Sequence, residues 1–302
     1  MYYIQEADKP NLFHKIFNII EMQQDKIILP IDEQEISDKK SQKLAKKTKK
    51  IMEKAISKKV ILSKKIQKQE IYKNLLYTYN LEIIEGKWIK EVLCCKELEF
   101  LLKHNKLKKE DTSISILIND ITENMLSNIR IMAKEYKSIS IITNHIEKFK
   151  KIEKQILEED GVMITVGNNK KKGLAKAKII LNVDFPSELI NKYQICEKAI
   201  IINIKENAKV AKKRFNGIII QDYEIIWDET QEFDYEKQEK YKSCERYEAK
   251  INKKQPFKEI QKQIKKDKVQ IFKLVGINTE IFWIFKFLKI NRKAFLFLKN
   301  II

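Results

Sequence analysis

The chain has 302 residues, of which 43% are hydrophobic and only six are glycine and four proline, and its formal net charge is +19. Such a length supports a buried core in one large domain or two ordinary ones, and the composition excludes a disordered chain and a turn-rich β-sandwich. Met1 to Asp8 have neither a basic start nor an apolar core, and no apolar run reaches the roughly 18–20 residues of a membrane-spanning helix, so the expectation is a cytoplasmic protein without an export signal.

In chain order, Phe17 to Ile20 and Lys26 to Leu29 read as a small β element around a polar turn at Gln23 to Asp25. Residues 35–57 read as a lysine-rich surface helix, because the apolar positions Ile36, Leu44, Ile51, Met52 and Ala55 are sparse. A strand at Val60 to Ser63, a helix carrying Ile66, Ile71, Leu75 and Leu76, and a strand at Leu81 to Ile84 follow. Gly86 then breaks the chain before a helix from Trp88 whose apolar side holds Ile89, Val92, Leu93, Leu98, Leu101 and Leu102. This α/β pattern fills an N-terminal lobe, residues 1–106, which either extends the next sheet or stands apart from it.

From residue 113 the alternation is regular. Strands are expected at Ser113 to Asn119, Ser138 to Thr143, Val162 to Val166, Lys178 to Val183, Ala199 to Ile204 and Gly217 to Asp222; the last four are nearly continuous Ile and Val, as strands covered on both faces must be. Helices between them carry Met125, Ile129 and Met132, then Phe149, Ile152 and Ile156. Asn144 with Glu147 predicts a capping box, Asp160 with Gly161 a helix end, and Pro186 a first helical turn. Strands spaced by helical segments in this way imply right-handed crossovers and a parallel, doubly wound sheet over residues 112–226. Residues 227–302 read as a mostly helical C-terminal segment. Its end is aromatic-rich, with Lys286, Lys289 and Lys293 on one stripe and Ile281, Ile284, Phe285, Leu288, Phe295 and Leu298 elsewhere; docking on the main body is preferred to peripheral contact with a membrane.

Several strand endings carry a resemblance. Ile141, Ile142, Thr143 and Asn144 are similar to the Asn-Arg turn of shikimate dehydrogenases. The run AKIILNVDFP from Ala177 to Pro186 resembles the ADIVINATP run of those enzymes and the related run of glutamyl-tRNA reductases, and Ala199 to Ile204 resembles their following strand. The resemblance covers about 115 residues and implies a Rossmann-like domain; residues 1–106 match the catalytic domain of neither enzyme. In that fold the first strand–helix turn is glycine-rich, so that backbone can approach a dinucleotide's diphosphate. Here the turn runs from Asn119 to Asn124 without a glycine, and Asp120 and Glu123 put carboxylates at a helix N-terminus that would otherwise attract an anion. NAD(P) binding of the ordinary kind is disfavoured by both sterics and charge.

Ligands of open α/β sheets sit beyond the strand C-termini. The polar residues expected there are Asn119, Asp120, Thr143, Asn144, His145, Asn168, Asn169, Asn182, Asp184 and Asp222, and the sharpest ligand-binding set is Asp120, Thr143, Asn144, Asn168, Asn182 and Asp184, with helix capping as the competing role. Lys170, Lys171 and Lys172 would be an anion-binding set, or a solvated turn. His14, His104 and His145 have no partner carboxylate or nucleophile identifiable by spacing, and Cys94, Cys95, Cys196 and Cys244 have no zinc-ligand spacing and read as free thiols. No catalytic arrangement and no metal site emerges. Between Asp38 and Lys73 stand 14 lysines against Asp38, Glu53 and Glu70, a balance that suits nucleic acid, although lysine is abundant along the whole chain, as an A- and T-rich genome imposes. The leading reading is therefore a non-catalytic or regulatory Rossmann-like protein binding a small ligand at its strand ends. An NAD(P)-dependent oxidoreductase with an atypical turn comes second, and a nucleic-acid-binding protein using residues 39–73 third.

Overall fold

A computed structural model describes residues 1–31, 36–206, 208–211, 215–228 and 243–279. The chain forms two compact units. One comprises Met1–Gly86 with Glu245–Asn252, the other Lys87–Cys244 with Lys253–Ile302. The division falls at Gly86, so the helix starting at Lys87, expected in the N-terminal lobe, belongs to the second unit.

The first unit is built on β1 (Tyr2–Glu6), α1 (Leu12–Phe17), β2 (Glu21–Gln23), β3 (Lys26–Leu29), α2 (Asp38–Lys54), β4 (Lys59–Leu62), α3 (Lys64–Gln67), α4 (Glu70–Thr78) and β5 (Glu82–Ile83). Its sheet has the order β2-β3-β1-β4-β5, parallel except for the β2/β3 hairpin, and it is separate from the sheet that follows. Phe17, expected in a strand, ends α1 instead, where Asn18 takes a left-handed conformation (φ 50°) and stops the helix. The lysine-rich helix is amphipathic. Leu44, Ala45 and Met52 are buried with Ser41 and Thr48, while its lysines point outward. Thr48 Oγ1 and the buried Tyr72 hydroxyl lie 2.8 Å apart, and burial holds that hydroxyl's pKa well above the ordinary range although the Thr48 bond opposes it. In the same unit Lys59 Nζ donates to Ala249 O (2.7 Å), and the ideal Cβ of Gly86, at φ +76°, would lie 3.2 Å from Glu245 Cδ. The late segment Glu245–Asn252 is thus an integral piece of the first unit.

The second unit opens with α5 (Lys87–Asn105) and continues through β6 (Ser113–Leu117), α6 (Glu123–Glu135), β7 (Ser138–Ile142), α7 (Ile146–Asp160), β8 (Thr165–Gly167), α8 (Lys170–Ala175), β9 (Ile179–Asn182), α9 (Ser187–Ile190), β10 (Ile200–Asn203) and β11 (Ile218–Ile226). The helix α10 (Ser243–Lys250) lies, from Glu245 on, in the first unit; α11 (Phe257–Lys266) and the strand β12 (Gln270–Ile277) complete the second. The sheet order is β12-β11-β10-β9-β6-β7-β8. Six strands are parallel and follow the order 3-2-1-4-5-6 of a Rossmann-like sheet. The fold is α/β and Rossmann-like, as the strand endings implied.

Two local expectations change. β12 is an antiparallel seventh strand in a segment expected to be mostly helical, and its pairing lengthens β11 to Ile226. Gly276 permits that pairing: an ideal Cβ there would stand 1.9 Å from Ile219 O, closer than any side chain allows. The capping box at Asn144 and Glu147 does not form; His145 takes the N-cap position of α7 without a side-chain bond, while Gly161 (φ 67°) ends that helix as expected. The aromatic-rich C-terminal helix falls on residues 280–302, outside the described residues.

Candidate functional site at the sheet's switch point

The chain builds β6, β7 and β8 on one side and then returns to place β9 against the other side of β6. The space beyond the C-termini of β6 and β9 is therefore the switch point at which such sheets bind ligands. The turn after β6 presents its backbone N–H groups there, and a carboxylate already holds them. Asp184, two residues beyond β9, accepts from Asn119 N (2.8 Å to Oδ1, 3.0 Å to Oδ2) and from Asp120 N (2.7 Å to Oδ2). These amides belong to the turn that receives a dinucleotide's diphosphate in this fold.

The positive end of α6 is filled as well. Thr122 is the N-cap and its Oγ1 accepts from Met125 N (3.2 Å); Glu91 Oε1, from α5, accepts from the same N–H (3.1 Å). Glu91 is buried, and its Oε2 pairs with Lys205 Nζ at 2.8 Å, so the carboxylate satisfies both a helix terminus and a cation. Asp120, expected to guard this helix end, instead turns outward: its side chain is 82% exposed and pairs with Lys148 at 2.9 Å. The hydrogen bond and charge of Lys148 hold its carboxyl below the usual carboxylate range.

The remaining polar strand ends are largely engaged with the protein itself. Asn119 Oδ1 accepts from Asn144 N (2.9 Å), tying the turn after β6 to the turn after β7, and the fully buried Thr143 accepts from His145 N through Oγ1 (3.0 Å). Asn182 and Asn203 are register partners on β9 and β10, both buried. Asn182 Nδ2 donates to Asn203 Oδ1 (2.9 Å) and Phe185 O (3.0 Å), its Oδ1 accepts from Phe185 N (3.0 Å), and Asn203 Oδ1 accepts from Ala208 N (3.2 Å). Both ends of the Asn182 amide are thereby spent on loop geometry. Asn144, His145, Asn168 and Asn169 are exposed. Asp222 lies inside β11 rather than at a strand end, and pairs with Lys90 at 2.8 Å. Lys170, Lys171 and Lys172 form the first turn of α8; the described side chains do not include theirs.

The structure brings together Asn119, Asp120, Asn144 and Asp184 from the sequence-derived set and adds Glu91 and Lys205, which that set missed. One signal was available: Glu91 lies seven residues before Leu98, and so on the apolar side of α5, where a carboxylate needs a partner. A dinucleotide diphosphate does not fit this arrangement, because the donors of Asn119, Asp120 and Met125 already serve carboxylates that would repel it. None of the four cysteines is in a disulfide, and among the described residues no group of three or more His, Cys, Asp or Glu side chains could hold a metal ion.

No family model matches the chain, and no curated protein matches it. Solved structures similar to it include L-tryptophan dehydrogenase from Nostoc punctiforme (7% identity, 69% of this chain and 63% of that one, TM-score 0.33). They also include the dipicolinate synthase A chain from Bacillus subtilis (9%, 53% and 56%, 0.35) and a shikimate dehydrogenase in complex with NADP+ (12%, 72% and 83%, 0.31). The chain thus spans less than two thirds of the length of the first two. At these scores and identities the likenesses carry no inference about substrate or chemistry; the strand order and the carboxylate-filled turn stand on their own.

Proposed function

We propose that this chain is a non-catalytic or regulatory Rossmann-like protein whose diphosphate-binding turn is closed by its own carboxylates, and that any small ligand meets it at the strand C-termini through exposed groups such as Asp120, Asn144 and Asn168. The supporting observation is the Asp184 carboxylate on the N–H groups of Asn119 and Asp120. It supplies from within the chain the anion that a cofactor would otherwise bring, and Glu91 does the same at α6. Lys170, Lys171 and Lys172 are proposed to contact an anionic part of that ligand, outside the closed turn. A thermal-shift titration with NADH and NADPH tests the reading. The expected result is no saturable stabilisation up to millimolar cofactor; saturation in the micromolar range would favour the oxidoreductase instead.

A further inference from the structure

We infer that the first unit docks on an anionic membrane surface through α1 and the neighbouring lysine stripe of α2. The helix α1 buries none of its residues. Leu12 (72% exposed), Phe13 (56%), Ile16 (64%) and Phe17 (55%) stand at i, i+1, i+4 and i+5, so they share one side of the helix and form a continuous apolar face in water. Phe13 and Phe17 pack against each other with ring centroids 4.5 Å apart and planes tilted by 46°, which keeps that face together.

The lysine stripe is fixed beside it. Lys47 Nζ donates to Phe17 O (2.9 Å) and Asn18 O (2.8 Å), capping the C-terminus of α1 from α2. Lys43, Lys50 and Lys54 lie four residues before, three after and seven after Lys47, hence on the same side of α2, and all are exposed. An apolar face bordered by a row of cations matches the boundary between acyl chains and anionic headgroups: the apolar side chains enter, and the ammonium groups remain at headgroup level. Nucleic acid would use the lysines but leave Leu12 and Ile16 without a role. An anionic bilayer complements both the charge and the apolar face.

Co-sedimentation of the full chain with vesicles of phosphatidylcholine alone, or containing about 30 mol% phosphatidylserine, tests this. Binding is expected only with phosphatidylserine and should weaken as salt rises. The variant Leu12→Ser/Ile16→Ser should lose at least about tenfold in partitioning, and Lys43→Gln/Lys50→Gln/Lys54→Gln about 100-fold, from roughly fivefold per lysine. All five positions are exposed, so both variants should keep the wild-type circular dichroism spectrum. The inference fails if the wild type ignores the vesicles, or if either variant binds them as well as wild type does. It fails equally if single-stranded RNA is bound in their place, with the lysine variant defective and the Leu12/Ile16 variant unaffected.

Discussion

Replacing Asp184 by alanine removes the acceptor from two backbone N–H groups at once. The carboxylate makes three contacts of 2.7–3.0 Å to Asn119 N and Asp120 N. Hydrogen bonds to a charged group contribute about 1.5–3 kcal/mol each, and the exposure of Asp120 places this pair toward the low end, so Asp184→Ala should cost about 2–3 kcal/mol. The second unit has about 200 residues, a size at which each kcal/mol moves the melting midpoint by roughly 2–4 °C, giving a drop of about 4–12 °C. The vacated amides then form an anion site. If sulfate binds it with a dissociation constant on the order of 10 mM, 100 mM sulfate restores about 1.4 kcal/mol, roughly half the loss. Melting curves of wild type and variant in sodium sulfate and in sodium chloride of equal ionic strength separate this rescue from general salting effects. A variant that melts within a degree of wild type, or sulfate stabilisation of the same size in both proteins, would refute the idea that Asp184 stands in for a bound anion.

Two further predictions concern α5. Glu91→Gln should destabilise the protein by about 2–3 kcal/mol in a urea titration, because the buried side chain then faces Lys205 with an amide instead of a charge; pairing it with Lys205→Met should recover at least about 1 kcal/mol, and strict additivity of the two changes would sink the proposed coupling. Glu97 is buried, its Oε2 has no hydrogen-bond partner among the described residues, and burial pushes its pKa up to about 8 against the opposing charge of Lys90. An unfolded carboxyl loses its proton near pH 4.3 and the folded one near 8, so between those values the native state binds more protons and stability falls as pH rises, by about 1–2 kcal/mol per pH unit from this group alone. Glu97→Gln should flatten that slope and raise stability above pH 8; an unchanged pH profile would mean that Glu97 is already ionised in the folded protein.

The parallel sheet was readable because Ile and Val runs such as those of β9 and β10 are what strands covered on both faces require. β12 escaped because only Ile271 and Leu274 are buried, three residues apart rather than in strand alternation, and Lys273 and Gly276 interrupt its apolar pattern. The assignment of Phe17 to a strand missed the four-residue spacing of Leu12 with Ile16 and Phe13 with Phe17, which is helical. In the candidate site, Asp184 could be singled out as a polar residue following an apolar strand, but its partners could not, since every residue except proline carries the same backbone N–H. The pairing of Asn182 with Asn203 depends on strand register, and Glu91 reaches Met125 across 34 residues, so both appear only once the sheet is assembled. Asp120 illustrates the converse: its position before α6 was correctly read, yet Lys148 draws its side chain away from the helix end.

The discontinuous make-up of the first unit bears on how the protein is made. A ribosome delivers Glu245–Asn252 only after about five-sixths of the chain has been synthesised, so the β1–β5 sheet emerges early and waits for its last helical piece while the whole Rossmann-like sheet up to β11 is being produced. A polypeptide ending at Gly86 lacks the Ala249 carbonyl that accepts from Lys59 and the Glu245 side chain that lies where a Cβ at residue 86 would reach. The first unit is therefore complete only once most of its neighbour has been translated.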